Sequence, residues 1–238
     1  MNKPFEKNFG IITQHDFLKL RNIRVLIVGL GGLGGHIANN LVRLGVMSID
    51  MCDHDAFEIT NLNRQLFSSH ATIGQYKVDV VKASLLAINP DINVNIDAVR
   101  VQELDDHVFD NIDLMIDAVD DIATKLYLEH VACKHGKPLL HGAVAGWYGQ
   151  IGLVMPESYL LQELYQGKHQ GLERILGSPT FTPAVVASMM TCEFVKYIMG
   201  HEQALINKIM MIDLLNHDYR VLLEHQPEKS VRKEKRSW

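Results

Sequence analysis

Apolar and polar positions change period several times along the chain, and each change marks an element. The sharpest change follows Arg24-Val25-Leu26-Ile27-Val28, a run rich in β-branched residues and Leu that stops at four glycines within six residues, Gly29, Gly31, Gly32 and Gly34. From His36 to Leu44 the apolar spacing becomes helical. The pattern predicts a buried parallel strand, a tight turn, and a helix whose N-terminus points back over that turn. Glycine serves such a turn twice. It accepts backbone angles that other residues resist, and it lets a phosphate reach backbone N–H groups without meeting a Cβ. An ordinary strand-to-helix turn is the alternative. The order strand, glycines, helix is the one a nucleotide-binding fingerprint requires, without saying which nucleotide.

Before this unit the pattern predicts a short helix over 13–20, with Thr13 as N-cap and Asp16 three residues on. After it, 47–52 reads as a strand ending in Asp53-His54-Asp55. Asp53 lies 19 residues beyond Gly34, where a doubly wound fold places an acid against the ribose hydroxyls. Residues 58–76 form a long polar loop with Asn61, Asn63, Arg64 and Gln65. A helix over 77–88 carries Val78, Val81, Leu85 and Ile88 on one face and is stopped by Asn89-Pro90. Strands follow over 92–98 and 113–119, then a helix over 122–135 closed by Gly136 and Pro138. Two more strands occupy 139–144 and 149–154.

From there the strand–helix alternation fails. Residues 156–179 read as a crossing segment with helical patches at 159–165 and 172–176. A helix over 184–199 ends at Gly200, and 208–215 with 218–223 suggest a hairpin. Tyr159, Leu160, Leu161, Leu164 and Tyr165 make an apolar stripe, read first as core packing and second as a lid. The whole predicts an α/β fold, a Rossmann-like doubly wound, mostly parallel sheet with an antiparallel C-terminal extension. It forms one domain over 1–225, divided near 145, with a basic flexible tail over 226–238.

Composition narrows the classes. At 238 residues and 47% hydrophobic, the chain can bury one large core. No apolar run reaches the roughly 18 residues of a membrane span, and 1–7 lacks a signal-peptide core, so a cytoplasmic protein is expected. A net charge of -5 argues against nucleic acid as partner. The basic cluster Lys229, Arg232, Lys233, Lys235 and Arg236 reads as a solvated end. Cys52, Cys133 and Cys192 are far apart with no C-x-x-C, so no disulfide framework and no structural zinc are expected. All three read as small buried hydrophobes. The twelve histidines form no metal-binding pattern.

Ligands of such sheets bind at strand C-termini, where Gly31, Asp53 and Asp120 are all predicted. A dinucleotide such as NAD would need only the glycines, Asp53 and a hydride-transfer site. Arg64 and Lys77 beside Asp120 suit a triphosphate better: two cations, and an acid able to hold Mg²⁺. They suit in particular attack on the α-phosphate with pyrophosphate leaving, because cations and a metal stabilise charge on the leaving group. An attacking carboxylate has a pKa of roughly 3.5 and needs no general base. Taken singly, each residue could instead be a surface cation or a helix-capping acid. An NAD-dependent oxidoreductase and a non-catalytic nucleotide-binding scaffold are the other readings.

At these residues the sequence resembles the ThiF/MoeB/HesA family of adenylyltransferases, relatives of the ubiquitin-activating enzymes, over nearly the whole chain. The resemblance is carried by Gly29-Leu30-Gly31-Gly32-Leu33-Gly34, Asp53-x-Asp55, Asn61-Leu62-Asn63-Arg64-Gln65, Gly74-Gln75-Tyr76-Lys77 and Asp117-Ala118-Val119-Asp120. Gly142-Ala143 with Gly149-Gln150, and Phe181-Thr182-Pro183-Ala184, complete it. It implies that ATP and Mg²⁺ adenylate the C-terminal Gly-Gly carboxylate of a ubiquitin-like sulfur carrier. The halves before and after 145 would bind nucleotide and carrier. Gly32, with Gly29 and Gly31, would approach the phosphates, and Asp53, with Asp55, would serve the ribose end. Asn61, Arg64, Gln65 and Lys77 would line the triphosphate, and Asp120 would bind Mg²⁺. The family usually forms homodimers, in which a basic residue near one N-terminus, here Lys7, reaches the other subunit's phosphates. Asp121 stands where the family pattern has an amide. The crossing segment lacks the cysteine many members carry, which implies adenylation without a thioester on this chain.

Overall fold

The computed structural model describes residues 3–168 and 171–224, so the basic tail over 226–238 lies outside the described residues. The sheet grows from β1 (Arg24–Val28). Its side chains alternate between two cores: Val25 and Ile27 enter one, Leu26 and Val28 the other. A strand apolar on both sides must be covered on both sides, which is what a parallel sheet with flanking helices provides. β2 (Ser48–Cys52), β3 (Asn93–Asp97), β4 (Leu114–Asp117) and β5 (Leu139–Ala145) join β1 in parallel. β6 (Tyr148–Val154), β7 (Lys208–Asp213) and β8 (Asp218–Glu224) extend the sheet antiparallel. The spatial order is β3-β2-β1-β4-β5-β6-β7-β8. Chain order reverses between β1 and β4, and a crevice opens at such a switch point.

The helices are, in order, α1 (Gln14–Asn22), α2 (Gly34–Leu44), α3 (Lys77–Ile88), α4 (Asp106–Asp110), α5 (Ile122–His135), α6 (Leu160–Leu164), α7 (Glu173–Leu176) and α8 (Phe181–Met199). The first three and α8 bury their apolar residues in the core that holds Val25 and Ile27. Residues of α4, α5 and α6 fill the opposite core. Asp50, 3% exposed in the middle of β2, takes Arg24 on both carboxylate oxygens (2.7 and 3.2 Å) and Asn95 Nδ2 at 2.8 Å, so three strands share one buried charge. No helix among the described residues is long and apolar enough to cross a membrane.

The glycine turn is fixed by close approach. Gly29 has φ +88°, and a Cβ there would lie 2.8 Å from the Ala118 carbonyl oxygen. At Gly34 a Cβ would lie 1.8 Å from the Gly29 carbonyl oxygen. These two glycines serve the fold, whatever binds at the turn.

Predicted and observed elements coincide at 77–88 and 122–135, and differ mainly at ends. α8 starts at Phe181 rather than 184, because Pro183 stands in the first turn, where the backbone N–H has no helical partner to lose. β7 stops at Asp213, whose carboxylate accepts the N–H groups of Leu215 and Asn216 and bends the chain into a turn. α4, capped by Asp105, was too short for its period to register. The stripe of the crossing segment packs as core: Leu160, Leu161, Leu164 and Tyr165 are buried, while Tyr159 faces outward.

Only Cys52 fits the expectation of a buried cysteine. Its thiol donates to the Val99 carbonyl, and burial pushes its pKa up to about 12. Cys133 is half-buried and Cys192 exposed, because on α8 Met190, Thr191, Glu193 and Phe194 take the inward positions. Cys192 is therefore expected to react with a thiol reagent in the folded protein and Cys52 only after denaturation, as mass mapping of labelled peptides would record. Gly34→Ala is expected to lower stability by about 3 kcal/mol or more, read as a fall in Tm, since overpacking against backbone cannot be relieved by a rotamer change.

Candidate functional site

A cavity of about 870 Å³ opens at the C-terminal ends of β1, β2 and β4. Gly29, Gly31, Gly32, Asp53, Asp55, Arg64, Gln65, Lys77, Asp120 and Asp121 all line it. Two predicted residues do not. Asn61 lies behind the wall, and Lys7 sits exposed on the N-terminal 3₁₀ turn Lys3–Asn8.

Asp53 braces the glycine turn. It is 7% exposed, and its two oxygens accept the N–H groups of Leu30 (2.6 Å) and Asp55 (2.8 Å). The acid at the end of β2 thereby holds the loop at the end of β1. Asp55 in turn pairs with Lys77, the first residue of α3, at 2.9 Å, and His54 Nε2 lies 3.3 Å from its other oxygen. Partial burial pushes the Asp55 carboxyl up, but the Lys77 hydrogen bond and charge outweigh it and hold it below the usual range. Lys77 is only 6% exposed, so this pairing is what lets an ammonium stand in the wall of the cavity.

Asn61 shapes the loop that presents the other groups. Its side-chain oxygen accepts the Glu58 N–H, and its carbonyl accepts the N–H groups of Arg64 and Gln65. Arg64 is oriented by bonds from Nη1 to the Thr60 carbonyl and the Asn63 side chain. Gly32 sits between Arg64 and Pro183: an added Cβ would lie 3.3 Å from the proline ring and 3.7 Å from Arg64 Cγ. Gln65 is 7% exposed, and its Oε1 has no hydrogen-bond partner among the described residues. A buried acceptor without a partner on the wall of a cavity is a place where a ligand donor fits.

Asp120 and Asp121, adjacent in sequence, are used differently. Asp121 is the N-cap of α5, accepting the N–H groups of Ala123 and Thr124 and the Thr124 hydroxyl. Burial works against its charge, and these bonds outweigh it and hold the carboxyl low. The acid is thus satisfied by the helix it starts. Asp120 makes no hydrogen bond within the described residues and is exposed to the cavity. A carboxylate with its oxygens open is a suitable hard ligand for Mg²⁺. Asp53, His54 and Asp55 also bring potential ligand atoms within 4.8 Å of one another, but the Leu30 N–H, the Asp55 N–H and Lys77 already take up their carboxylates.

Four further residues line the cavity: Lys125 and Glu173, which the sequence did not single out, and Gln150 and Tyr165, which it singled out only as part of a motif and of an apolar stripe. Lys125 Nζ gives all three donors to buried acceptors, both oxygens of Asp117 (3.1 Å each) and the Gly142 carbonyl (2.8 Å). His141 Nδ1 lies 2.7 Å from Asp117, and its Nε2 lies 3.3 Å from the Tyr165 hydroxyl. Glu129, one turn beyond Lys125, accepts the N–H groups of Leu161 and Gln162 and ties α6 to α5. The available signal was phase: Lys125 and Glu129 share the inward face of α5 with Ile122, Leu128 and Ala132. Glu173 comes from α7, in the crossing segment. Burial, then the neighbouring Asp120, pushes its carboxyl up, against the pull of Arg64 and Lys125.

A doubly wound sheet with a glycine turn at its switch point and an acid closing the next strand defines the class, an α/β protein built on a nucleotide-binding architecture. The ThiF family description matches residues 6–233, and the chain belongs to that family. It is 29% identical over 217 residues to the probable adenylyltransferase/sulfurtransferase MoeZ of Mycobacterium tuberculosis, covering 86% of this chain and 55% of MoeZ. The chain thus spans about half the length of that relative. It is 28% identical to the sulfur carrier protein adenylyltransferase of Thermus thermophilus, covering 86% of this chain and 79% of that protein. A third relative, the tRNA threonylcarbamoyladenosine dehydratase of Bacillus subtilis, is 37% identical over 142 residues, 59% of this chain and 56% of that protein. Among solved structures, E. coli MccB with ATP shares the fold at a TM-score of 0.78 and 23% identity, over 96% of this chain and 74% of that one.

The buried network makes stability depend on pH. Burial alone would push Asp117 up, but Lys125 and His141 hold it below 3.8; burial holds His141 below 6.5 against the pull of Asp117. Unfolded His141 takes up a proton near 6.5 that the folded form takes up only at lower pH, so stability falls as pH drops below that value. The Asp117 contribution is complete above 3.8 and is lost as pH falls through its lower folded value. From about pH 7.5 to 5.5 the urea midpoint is expected to fall, at no more than about 1.4 kcal/mol per pH unit from His141. His36, also held low by burial, acts in the same direction. His141→Gln should flatten that slope without abolishing it.

Proposed function

We propose that this chain uses ATP to adenylate the C-terminal Gly-Gly carboxylate of a ubiquitin-like sulfur-carrier protein, releasing pyrophosphate. One observation carries the reading: a single cavity gathers the glycine turn, two cations, an unpartnered buried amide oxygen and an acid with open oxygens. The named activities of the M. tuberculosis and T. thermophilus relatives support it.

Gly31 and Gly32 leave the backbone of the turn open to phosphate oxygens, and Asp53 stands at the ribose end. Arg64 and Lys77 lie where negative charge grows on the departing pyrophosphate. Asp120 would hold Mg²⁺, which supplies further charge neutralisation there. Asp121 acts indirectly, by fixing the first turn of α5 next to Asp120. The carrier carboxylate is ionised at neutral pH and attacks the α-phosphorus. An oxygen–phosphorus bond forms, the α–β bridging bond breaks, and its electron pair leaves with pyrophosphate. No proton moves. Lys7, absent from this chain's own cavity, would serve the partner's cavity in a homodimer.

A second reading keeps the chemistry and changes the carrier. The 37% identity to the B. subtilis dehydratase favours a tRNA-borne carboxylate. ATP–pyrophosphate exchange separates the readings: a Gly-Gly-tailed carrier protein is expected to support it and tRNA is not. Arg64→Ala and Asp120→Ala should each slow exchange by about 100-fold or more. Exchange as fast as the parent's in both variants would overturn the assignment. Saturable NADH binding that ATP-Mg does not displace would point instead to the oxidoreductase.

A further inference from the structure

Adenylation of a carboxylate moves no proton, yet the wall of the cavity contains a chain of groups arranged to take one. Asp117 is fully buried and receives two hydrogen bonds from Lys125, so it is an ionised acceptor. His141 is fully buried beside it, with Nδ1 2.7 Å from an Asp117 oxygen. An acceptor-only carboxylate requires the proton of a neutral imidazole to sit on Nδ1. Nε2 is then a bare lone pair, and it lies 3.3 Å from the hydroxyl of Tyr165. Gln150 Oε1, 3.4 Å away, is the only other acceptor of that hydroxyl among the described residues. Tyr165 and Gln150 line the cavity; Asp117 and His141 stand behind them. This is the order of a nucleophile-activating triad: a group facing substrate, an imidazole behind it, and a carboxylate fixing the imidazole.

We propose that Tyr165, backed by His141 and Asp117, deprotonates the nucleophile that attacks the acyl-adenylate, so that this chain also carries out acyl transfer to a protonated thiol or amine. The proposal rests on the adenylation reading above. For a thiol, the sulfur–carbon bond forms as the bond from the acyl carbon to the AMP oxygen breaks. AMP leaves with that electron pair, the thiol proton passes to the Tyr165 oxygen, and the Tyr165 proton passes to His141 Nε2. Tyr165 is the catalytic residue, since it lines the cavity and its hydroxyl is the group bonded to His141. His141 and Asp117 act through it. Tyr165 follows α6, whose start Glu129 ties to α5, so the hydroxyl is held by a fixed segment.

The test separates the two steps on the full chain with the adenylated carrier. Step one is read by pyrophosphate exchange. Step two is read by product formed with cysteine, mostly protonated near neutral pH, and with thioacetate, fully ionised there. In Tyr165→Phe and in His141→Gln, the ratio of cysteine transfer to exchange should fall by about 100-fold. The ratio for thioacetate, which brings no proton, should stay within about threefold of the parent's, a difference that loss of packing alone would not produce. Equal losses with the two nucleophiles, or no loss with cysteine in the Tyr165→Phe protein, would overturn the relay. Failure of the parent to exchange at all would instead overturn the adenylation reading and this step with it. Tyr165→Phe removes one oxygen and keeps the ring, so it decides the question if His141→Gln does not fold.

Discussion

No side chain fits between the end of β1 and the first turn of α2. The Gly29 carbonyl occupies the space a Cβ on Gly34 would need, and the Ala118 carbonyl closes on Gly29 from β4. This contact sets how deeply α2 can approach the sheet. That depth decides where the helix N-terminus points, and hence where an anion is drawn. Asp53 completes the constraint by accepting the Leu30 N–H from the neighbouring strand end. The turn is therefore built before any ligand arrives, and its shape costs nothing at the moment of binding.

The same economy governs charge. Lys77 is buried against Asp55 and Lys125 against Asp117, and the exposed Asp121 is satisfied by the N–H groups at the start of α5. Each ion has an internal partner, which is what allows so many to stand in one low-dielectric place. Asp120 and the Gln65 oxygen differ, with no hydrogen-bond partner among the described residues. Groups left unsatisfied beside satisfied neighbours mark where the protein's own bonding ends and a ligand's begins.

Much of the fold was legible because its elements obey local rules. The glycine turn, the helix with Val78, Val81 and Leu85 on one face, and the αL glycine at 136 each state their conformation within a few residues. The site was legible to the extent that it sits at strand ends, as Asp53 and Asp120 do. Asn61 shows the limit. Its place beside Arg64 and Gln65 is visible in the sequence, but its use of the carboxamide on Glu58 depends on how the loop folds. Cys192 shows another: apolar spacing on α8 locates the helix, yet only its packed phase shows the thiol facing outward.

The sequence by itself determined the strands, the turn and the order of the acids and cations, because periodicity and backbone preference act over a few neighbours. The tertiary structure alone decided which buried charges meet. Asp117, Lys125, His141 and Tyr165 come from β4, α5, β5 and the crossing segment, spread over 48 residues. Nothing local links them. They are joined because a lysine and a histidine turned into a core must find an ionised partner there, and the folded sheet places Asp117 within their reach.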